Sequence, residues 1–557
     1  MKPGSSIPKA VIYCAVVVTV YLLIAGRTTL WDRDEPRFSR ATVEMVESGN
    51  WLYPTFNGNL RPDKPILIYW LMSVPVRILG ANALACRFAG VIGTAVSGFL
   101  TYLIGRRLFD DRVGLWAIGI LATSLLIMFI GTFATADAVL LPCMVGAMAV
   151  FSGALERERF DVKDFVLMSL ALGLALLAKG PVGLLPVLAI WVTLVMLRKQ
   201  VKFWRLFGPT LGAVVVAVMI FLAWAIPANA ATEGEFYRQG IGHHVVDRIL
   251  HPQEGHGGGG RGILDFLLYL PFYPAVIIGG FFPWVLHLGG GLKAFFRRQE
   301  GQEKRRALLI GWIVPTVVVM IFVSTKLAHY ILFIWPALAL CVAGIIRQAE
   351  ENKTDEAVQE WLKAGTGFYG TINGGLALIL MVGPWFLPFP MVGLKVVGIL
   401  AGVILIVMGE IVNRAQKAGR FAAAGQYMLC QVAILWMVLW VGVLPGLESI
   451  KIPPKIAKAV VAESSDETPV VTYKFEEPTL NFYVGRHITN FRDLEEVIEW
   501  VKSPGNGVLI IPKAKFEGLS QEHDFSSLVT IASVEGINYS KGIDPLTVLA
   551  LQKGGGS

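Results

Sequence analysis

The sequence predicts a polytopic α-helical membrane protein of about thirteen transmembrane helices, with amphipathic helices in an outer loop and a small C-terminal α/β domain. Three observations carry this. The 557 residues are 54% apolar and only 16% charged, with a mean hydropathy of +0.59, whereas a soluble domain is about a quarter charged. So few charges cannot coat a water-facing surface of this size. Apolar runs also recur along the first 446 residues, many of about the 20 residues that a hydrocarbon core of roughly 30 Å requires. From residue 447 onward that pattern gives way to short alternating stretches.

The thirteen runs are 10–26, 84–104, 113–131, 138–155, 165–178, 181–197, 206–226, 265–289, 307–323, 328–346, 366–388, 391–411 and 426–446. The first follows Lys2 and Lys9 as a signal peptide would, but no small-x-small cleavage site precedes Trp31, so it reads as a retained anchor. The fifth and sixth are divided only by Lys179 and Gly180 before Pro181. Lys and Arg number 22 in the six even-numbered connections and 2 in four short odd ones. The excess marks the cytoplasmic side, which puts the N-terminus inside and, after thirteen crossings, the C-terminus outside.

That topology also accounts for the net charge of +8. The basic residues are scattered through short loops without a basic-aromatic groove, so nucleic acid is not an expected partner. Cys14, Cys86, Cys143, Cys341 and Cys430 lie in apolar stretches with no CxxC pair, and read as small buried hydrophobes rather than a zinc or disulfide frame.

Two odd connections, 27–83 and 227–264, are long and rich in charged, aromatic, Gly and Pro residues. Loops held on a rigid scaffold are where function concentrates. The first contains two helical pieces, 36–48 and 65–79, each opened by a proline. The second piece is too short to span and is expected to lie along the membrane surface. Beyond Pro453-Pro454, which marks a break, strands are expected at 469–473, 479–484, 508–511, 528–534 and 547–551, and a helix at 492–502. Residues 1–446 thus form the membrane domain and 447–553 an outer α/β domain. Residues 554–557, Gly-Gly-Gly-Ser, read as an expression scar foreign to the protein and are left out of the fold.

The first long loop opens with Asp34-Glu35-Pro36-Arg37. An acidic pair there reads either as a solvated helix start or as a carboxylate at a membrane-level cavity acting on an acceptor. The pair alone leaves both open. Farther on come Glu44-Met45-x-x-Ser48-Gly49-Asn50-Trp51 and Asp63-Lys64-Pro65. The series continues with the run 130–137 ending in Asp137, then Ala178-Lys179-Gly180 and His243-His244-x-x-x-Arg248. Tyr269-x-Pro271, Gly280-x-x-Pro283-Trp284 and the run 325–330 ending in His329-Tyr330 complete it.

In that order these motifs resemble the bacterial lipid A aminoarabinose transferases. More broadly, they resemble the GT-C polyprenyl-phosphate-sugar glycosyltransferases related to protein O-mannosyltransferases. The resemblance covers about residues 10–345; beyond 350 only the architecture matches. It implies an inverting glycosyltransferase of the bacterial inner membrane, active on the periplasmic face. Its donor would be a polyprenyl-phosphate-linked sugar, and its acceptor lipid A or another envelope glycan or protein. The chain is expected to act as a monomer.

Residue by residue, the resemblance makes Asp34 the catalytic carboxylate and Arg37 its basic partner, with Glu35 and Asp137 in support. Lys64 is the lysine at the donor phosphate, joined by Arg248, Lys179 and Tyr330; Arg61 and Lys326 complete the cavity. Asp63 and His244 correspond to an acid and a histidine that can hold a divalent metal, Zn or Mg. Asp63 is one methylene shorter than the usual Glu, and no cofactor is expected to be required. Arg61 stands where the family often has an aromatic residue.

The chemistry is consistent with those roles. A sugar on a lipid phosphate has an anionic leaving group of low basicity, so cations serve it better than a proton does. A carboxylate on the opposite side of the anomeric carbon can orient or deprotonate the acceptor, and that arrangement inverts the sugar. Several companions also have plainer readings. Lys179 can snorkel from a span end, Asp137 can cap a helix, and His329 can be a polar loop contact beside Lys326. His243 and His244 are adjacent rather than spaced as a helical ligand pair, and His251 and His256 show no ligand spacing. The glycine-rich run 255–261 lacks the strand and the Lys-Ser/Thr of a phosphate loop, so a loop that orders on substrate is expected instead. A lipid-linked-sugar transporter is the alternative from another class, but transporters place charges at the midplane of repeated halves. A non-catalytic assembly partner is a third reading.

Overall fold

In a computed structural model of the chain, the structure describes residues 6–31, 33–240, 267–297, 300–351, 356–386, 392–538 and 544–554. Among these, ten helices are long and apolar enough to cross a membrane, or up to twelve if each of two bent pairs is one span. The chain is a multi-pass membrane protein.

Bent pairs replace two of the expected straight spans. Asp111–Thr123 and Leu125–Thr132 meet at 69°, broken at Ser124, whose backbone is extended. The amide freed at Leu125 donates to the Phe282 carbonyl 3.2 Å away, as a backbone break in lipid requires. The second pair, Leu267–Gly280 and Val285–Phe296, bends by 111° where the sequence suggested one span over 265–289. Trp284 at that corner is buried and donates its indole N–H to Thr123 Oγ1 at 2.9 Å.

The count differs from thirteen chiefly at Val162–Met196, a 35-residue run of helix that the sequence divides in two. A 3-10 turn, Gly180–Leu184, interrupts it. A Cβ on Gly183 would lie 2.5 Å from the Ala175 carbonyl carbon, although eight residues of straight helix span about 12 Å. The chain therefore doubles back at this turn, as two spans demand, and only glycine permits that closeness.

Burial grades from the centre outward. From Trp335 to Ile346 every residue of the helix Trp335–Glu350 is buried, whereas Ile7–Ala25 and Phe203–Ala231 present most of their apolar surface outward. In water such surface would be costly; facing lipid it is not.

The outer loop holds the two expected helices, Asp34–Ser48 and Leu67–Leu79. The first ends at Gly49, left-handed at φ 70°, the usual helix stop. The second exposes Leu71, Val74 and Ile78, an apolar stripe suited to the membrane surface. Between them is an unanticipated hairpin, β1 (Thr55–Phe56) with β2 (Asn59–Leu60). Its turn residues, Asn57 and Gly58, both have positive φ, 53° and 76°, as a two-residue hairpin turn of Asn-Gly sequence prefers.

The C-terminal domain is a five-stranded sheet in the order β4-β3-β5-β7-β6, built from β3 (Val470–Tyr473), β4 (Ile488–Phe491), β5 (Gly507–Pro512), β6 (Leu528–Ile537) and β7 (Pro545–Lys553). β3 pairs in parallel with β4 and β5, while β7 runs antiparallel to β5 and β6. Helices Ile452–Glu463 and Pro478–Val484 pack on one face, and Leu494–Lys502 and Lys513–Leu519 on the other. Two expectations are corrected here. Residues 479–484 are helical rather than a strand, and Pro453-Pro454 lies in the first turn of a helix rather than at a break. A first-turn amide has no intrahelical partner to lose.

This domain rests on the outer loop. Asn57 exchanges two hydrogen bonds with the backbone of Ile488, donating to its carbonyl at 2.8 Å and accepting from its amide at 2.9 Å. Tyr483 Oη accepts from the Leu30 amide at 2.9 Å, and Arg33 pairs with Glu477 at 3.6 Å.

Candidate active site

The helix Asp34–Ser48 begins at an anchored point. Glu35 is 1% exposed and takes a bidentate grip from Arg87, whose Nε and Nη2 lie 2.6 and 2.8 Å from its two oxygens. The same carboxylate accepts the amides of Trp31 (2.6 Å) and Ala134 (2.9 Å). Arg87 also donates to the carbonyls of Ala25, Thr28 and Thr29. One buried ion pair thus ties the end of the first span, the site helix and the approach to Asp137. Glu35 was expected to support catalysis; its oxygens are taken up by Arg87 and two backbone amides, so the support it can give is architectural.

Asp34, one residue earlier, is left available. Its side chain is 59% exposed, with Arg37 Nη1 3.8 Å from its carboxylate, so the expected acid-base neighbours are adjacent. As the first residue of the helix, Asp34 also sits where the helix dipole favours a negative charge.

After the hairpin, Arg61 is buried between the rings of Phe38 and Phe56, its guanidinium carbon 5.3 and 6.0 Å from their centroids. Its Nη1 holds Asp63 at 2.9 Å. Burial works against the Arg61 charge, but Tyr69, Asp63 and Asp34 outweigh it and hold its pKa above the ordinary value. Burial, opposed by Arg61, pushes the Tyr69 phenol up to about 12. Lys64 donates to the Asp63 carbonyl at 3.0 Å.

A second cluster comes from three elements that the sequence separates widely. Asp137, in the first turn of Ala136–Arg157, pairs with Lys179 at 2.6 Å and lies 3.6 Å from His329 Nε2. The Lys179 ammonium stands 4.8 Å from the centroid of the Tyr330 ring. These four line a small cavity of about 20 Å³ with Leu140 and Met144.

The two clusters face each other. Asp34 and Lys64 both act electrostatically on His329, and Lys64 acts on Asp137 as well. Asp34, Lys64, Asp137, Lys179 and Tyr330 therefore share one neighbourhood. Lys326 does not face it. Its ammonium turns back onto the carbonyls of Met320, Ile321 and Val323 at 3.1, 2.6 and 2.6 Å, capping the C-terminus of Glu303–Phe322, and burial lowers its pKa.

His244 and Arg248, with His243, His251, His256 and the glycine-rich run 255–261, lie outside the described residues. Among the described residues no group of three or more His, Cys, Asp or Glu is arranged to hold a metal. Asp63, the one expected ligand described, has its carboxylate on Arg61. The other expected ligand, His244, lies outside the described residues, and no step is derived through a metal. Sequence reasoning missed Arg87, a charge within an apolar span whose rarity is itself a signal. It also read His329 as the plainer loop contact, although His329 meets Asp137.

Fold and site together define a multi-pass membrane protein with a charged cavity among its helices and an α/β domain seated on its first long loop. ArnT from Cupriavidus metallidurans bound to undecaprenyl phosphate superposes with a TM-score of 0.78 at 18% identity, over 98% of each chain; its apo state gives 0.74. Residues 63–226 match the dolichyl-phosphate-mannose-protein mannosyltransferase family. The chain is 29% identical over 375 residues to an undecaprenyl phosphate-alpha-4-amino-4-deoxy-L-arabinose arabinosyl transferase of Pectobacterium carotovorum. It is 30% identical over 372 residues to one from an Enterobacter species. Each match covers 66% of this chain and 64% of the relative, a little under two thirds of its length. The chain is thus similar in sequence to aminoarabinose transferases and shares the fold of ArnT.

Proposed function

We propose that the protein is an inverting glycosyltransferase. It moves a sugar, aminoarabinose or a close relative, from undecaprenyl phosphate to lipid A at the periplasmic face of the bacterial inner membrane. The observation that carries this reading is the convergence of Asp34 and Lys64 on the Asp137–Lys179–His329 cluster. An acid and several cations meet at the outer ends of spans, as an anionic leaving group on a lipid requires. The names of the similar enzymes, and the undecaprenyl phosphate bound to a protein of the same fold, support the choice of donor and acceptor.

In this reading the acceptor oxygen attacks the anomeric carbon from the Asp34 side. The bond from that carbon to the phosphate oxygen breaks, and its electron pair leaves with the lipid phosphate. Lys64, Arg248, Lys179 and Tyr330 stabilise the charge that develops there. Asp34 orients the acceptor and takes its proton where the acceptor is a neutral hydroxyl. Asp137 holds Lys179 in place, and Arg37 orients Asp34. Residues 1–446 carry the chemistry and residues 447–553 form the periplasmic domain, with the N-terminus cytoplasmic. The distribution of Lys and Arg, 22 against 2 across the short connections, supports that orientation.

The test is acceptor-dependent release of undecaprenyl phosphate by the purified protein, given lipid A and the lipid-linked aminosugar. Release by wild type and none by Asp34→Asn is expected. No release from wild type with any envelope acceptor would overturn the proposal.

A further inference from the structure

The segment leading into Asp34 is gripped from two sides. Arg87 and Glu35 form the inner grip. The outer one comes from Lys451, at the junction between the last membrane helix and the α/β domain. Its side chain is 1% exposed, and its ammonium stands 3.3 Å from the centroid of the Trp31 ring, contact distance for a cation on an aromatic face. Lys451 Nζ also donates to Thr29 Oγ1 at 2.9 Å and pairs with Glu448 at 2.6 Å. The Thr29 hydroxyl in turn donates to Glu448 Oε2 at 2.6 Å, closing a ring of three side chains. The carbonyls of Thr29 and Leu30 lie 3.4 Å from the same ammonium. Every one of these contacts falls within the five residues before Asp34 or at the domain junction.

We infer that Lys451 is a positioning residue for the transfer reaction, a latch by which the C-terminal domain fixes Trp31 and thereby sets the carboxylate of Asp34. A buried lysine would be expensive as mere packing, since an ammonium without partners strongly disfavours burial. Here its ammonium is spent on Thr29, the Trp31 ring and Glu448, not on side chains of the domain's own sheet. The role rests on the glycosyltransferase reading for its catalytic consequence, but the contacts themselves do not depend on it.

The latch is sensitive to protonation. Burial, opposed by Glu448, brings the Lys451 pKa down to about 7. The other titratable groups around it are Glu35 and Arg87 beneath and Tyr483 from the domain helix Pro478–Val484. Glu35 and Arg87 are committed to each other, which leaves Lys451 as the group whose charge changes near neutrality. Above that pH the ammonium's attraction to the ring and to Glu448 is lost.

The experiment compares wild type with Lys451→Met and Lys451→Arg, reading kcat and donor KM from pH 6 to 9 and hydrogen exchange of residues 27–38. Lys451→Met is expected to lower kcat about tenfold at pH 6.5 with donor KM unchanged, and to speed exchange across 27–38. Wild-type kcat should fall toward the variant's value as pH rises through about 7, a limb that Lys451→Met lacks, and Lys451→Arg should restore part of the rate. Should Lys451→Met fail to fold, Trp31→Leu removes the ring from under the ammonium and is read the same way. A wild-type kcat in the variant, or a loss confined to donor KM, overturns the inference. If wild type itself shows no transfer, the functional reading fails. The latch then stands or falls on the exchange of 27–38, which must quicken in Lys451→Met for it to survive.

Discussion

Arg87 and Glu35 form a bidentate ion pair, 2.6 and 2.8 Å, that is almost wholly shielded from solvent. It fixes the backbone immediately beside the exposed Asp34. The residue proposed to do the chemistry and the residue that anchors its helix are neighbours in sequence, one exposed and the other buried.

Breaking that pair should show up as stability. Glu35→Gln leaves Arg87 buried without its counter-charge, and losing one partner of a buried pair costs about 3–5 kcal/mol. Glu35→Gln combined with Arg87→Met should recover part of this, because the stranded charge is gone. Thermal melts of the three variants in detergent check the cycle. Simple additivity would mean that the pair contributes nothing jointly.

Asp34→Asn should keep the fold, since the side chain is 59% exposed and Arg37 is 3.8 Å away. Turnover should fall by about 10²–10⁴, the usual contribution of a positioned base. The measurement is initial rate of undecaprenyl phosphate release, with the melting temperature as control.

Lys64→Ala should weaken engagement of the lipid phosphate, raising donor KM and lowering kcat together. A charge-assisted hydrogen bond is worth about 1.5–3 kcal/mol, or roughly a 10–150-fold change in kcat/KM. Unchanged kinetics would remove Lys64 from the phosphate.

Lys179→Met and Asp137→Asn should be unequal. The ammonium is the group proposed to meet the donor, while Asp137 acts through it at 2.6 Å. The lysine variant is expected to lose affinity for undecaprenyl phosphate more severely, measured as a ligand-induced rise in melting temperature. Equal losses would point to a purely structural pair.

Stability should also respond to pH through Lys451. Burial holds its folded pKa at about 7, against 10.5 in the unfolded chain. Between those values the unfolded chain binds more protons, so this group makes the fold more stable as pH rises from 7 toward 10. Below 7 its penalty is present in full. Melting temperatures of wild type and Lys451→Met from pH 6.5 to 9.5 should therefore diverge in slope, wild type climbing the more steeply.

The sequence made the membrane architecture legible because lipid imposes one rule, about twenty apolar residues per crossing, and charges mark the sides. It could not show that Ser124 breaks a span, since the compensating bond comes from Phe282, far along the chain. Asp34 and Lys64 stood out through the motifs of the first long loop, and Asp137 as a charge at a span edge. How Glu35 gives its support could not be read, because its partner, Arg87, lies 52 residues away inside an apolar run. Lys326 was placed in the cavity with the motif that ends in Tyr330, while its ammonium caps the helix just before it. The hairpin at Asn57-Gly58 carried the clearest local turn signal in the loop and went unread. In the outer domain, 479–484 has the alternation of a strand but folds as a helix against the outer loop.

The paired hydrogen bonds between Asn57 and Ile488 make the hairpin behave as a borrowed edge of the C-terminal sheet. Exchange of that sheet between related enzymes would thus succeed only if the hairpin travelled with it. The inheritable unit would be assembled from two distant stretches of the gene, and substitutions at residue 57 should be constrained by what occupies residue 488.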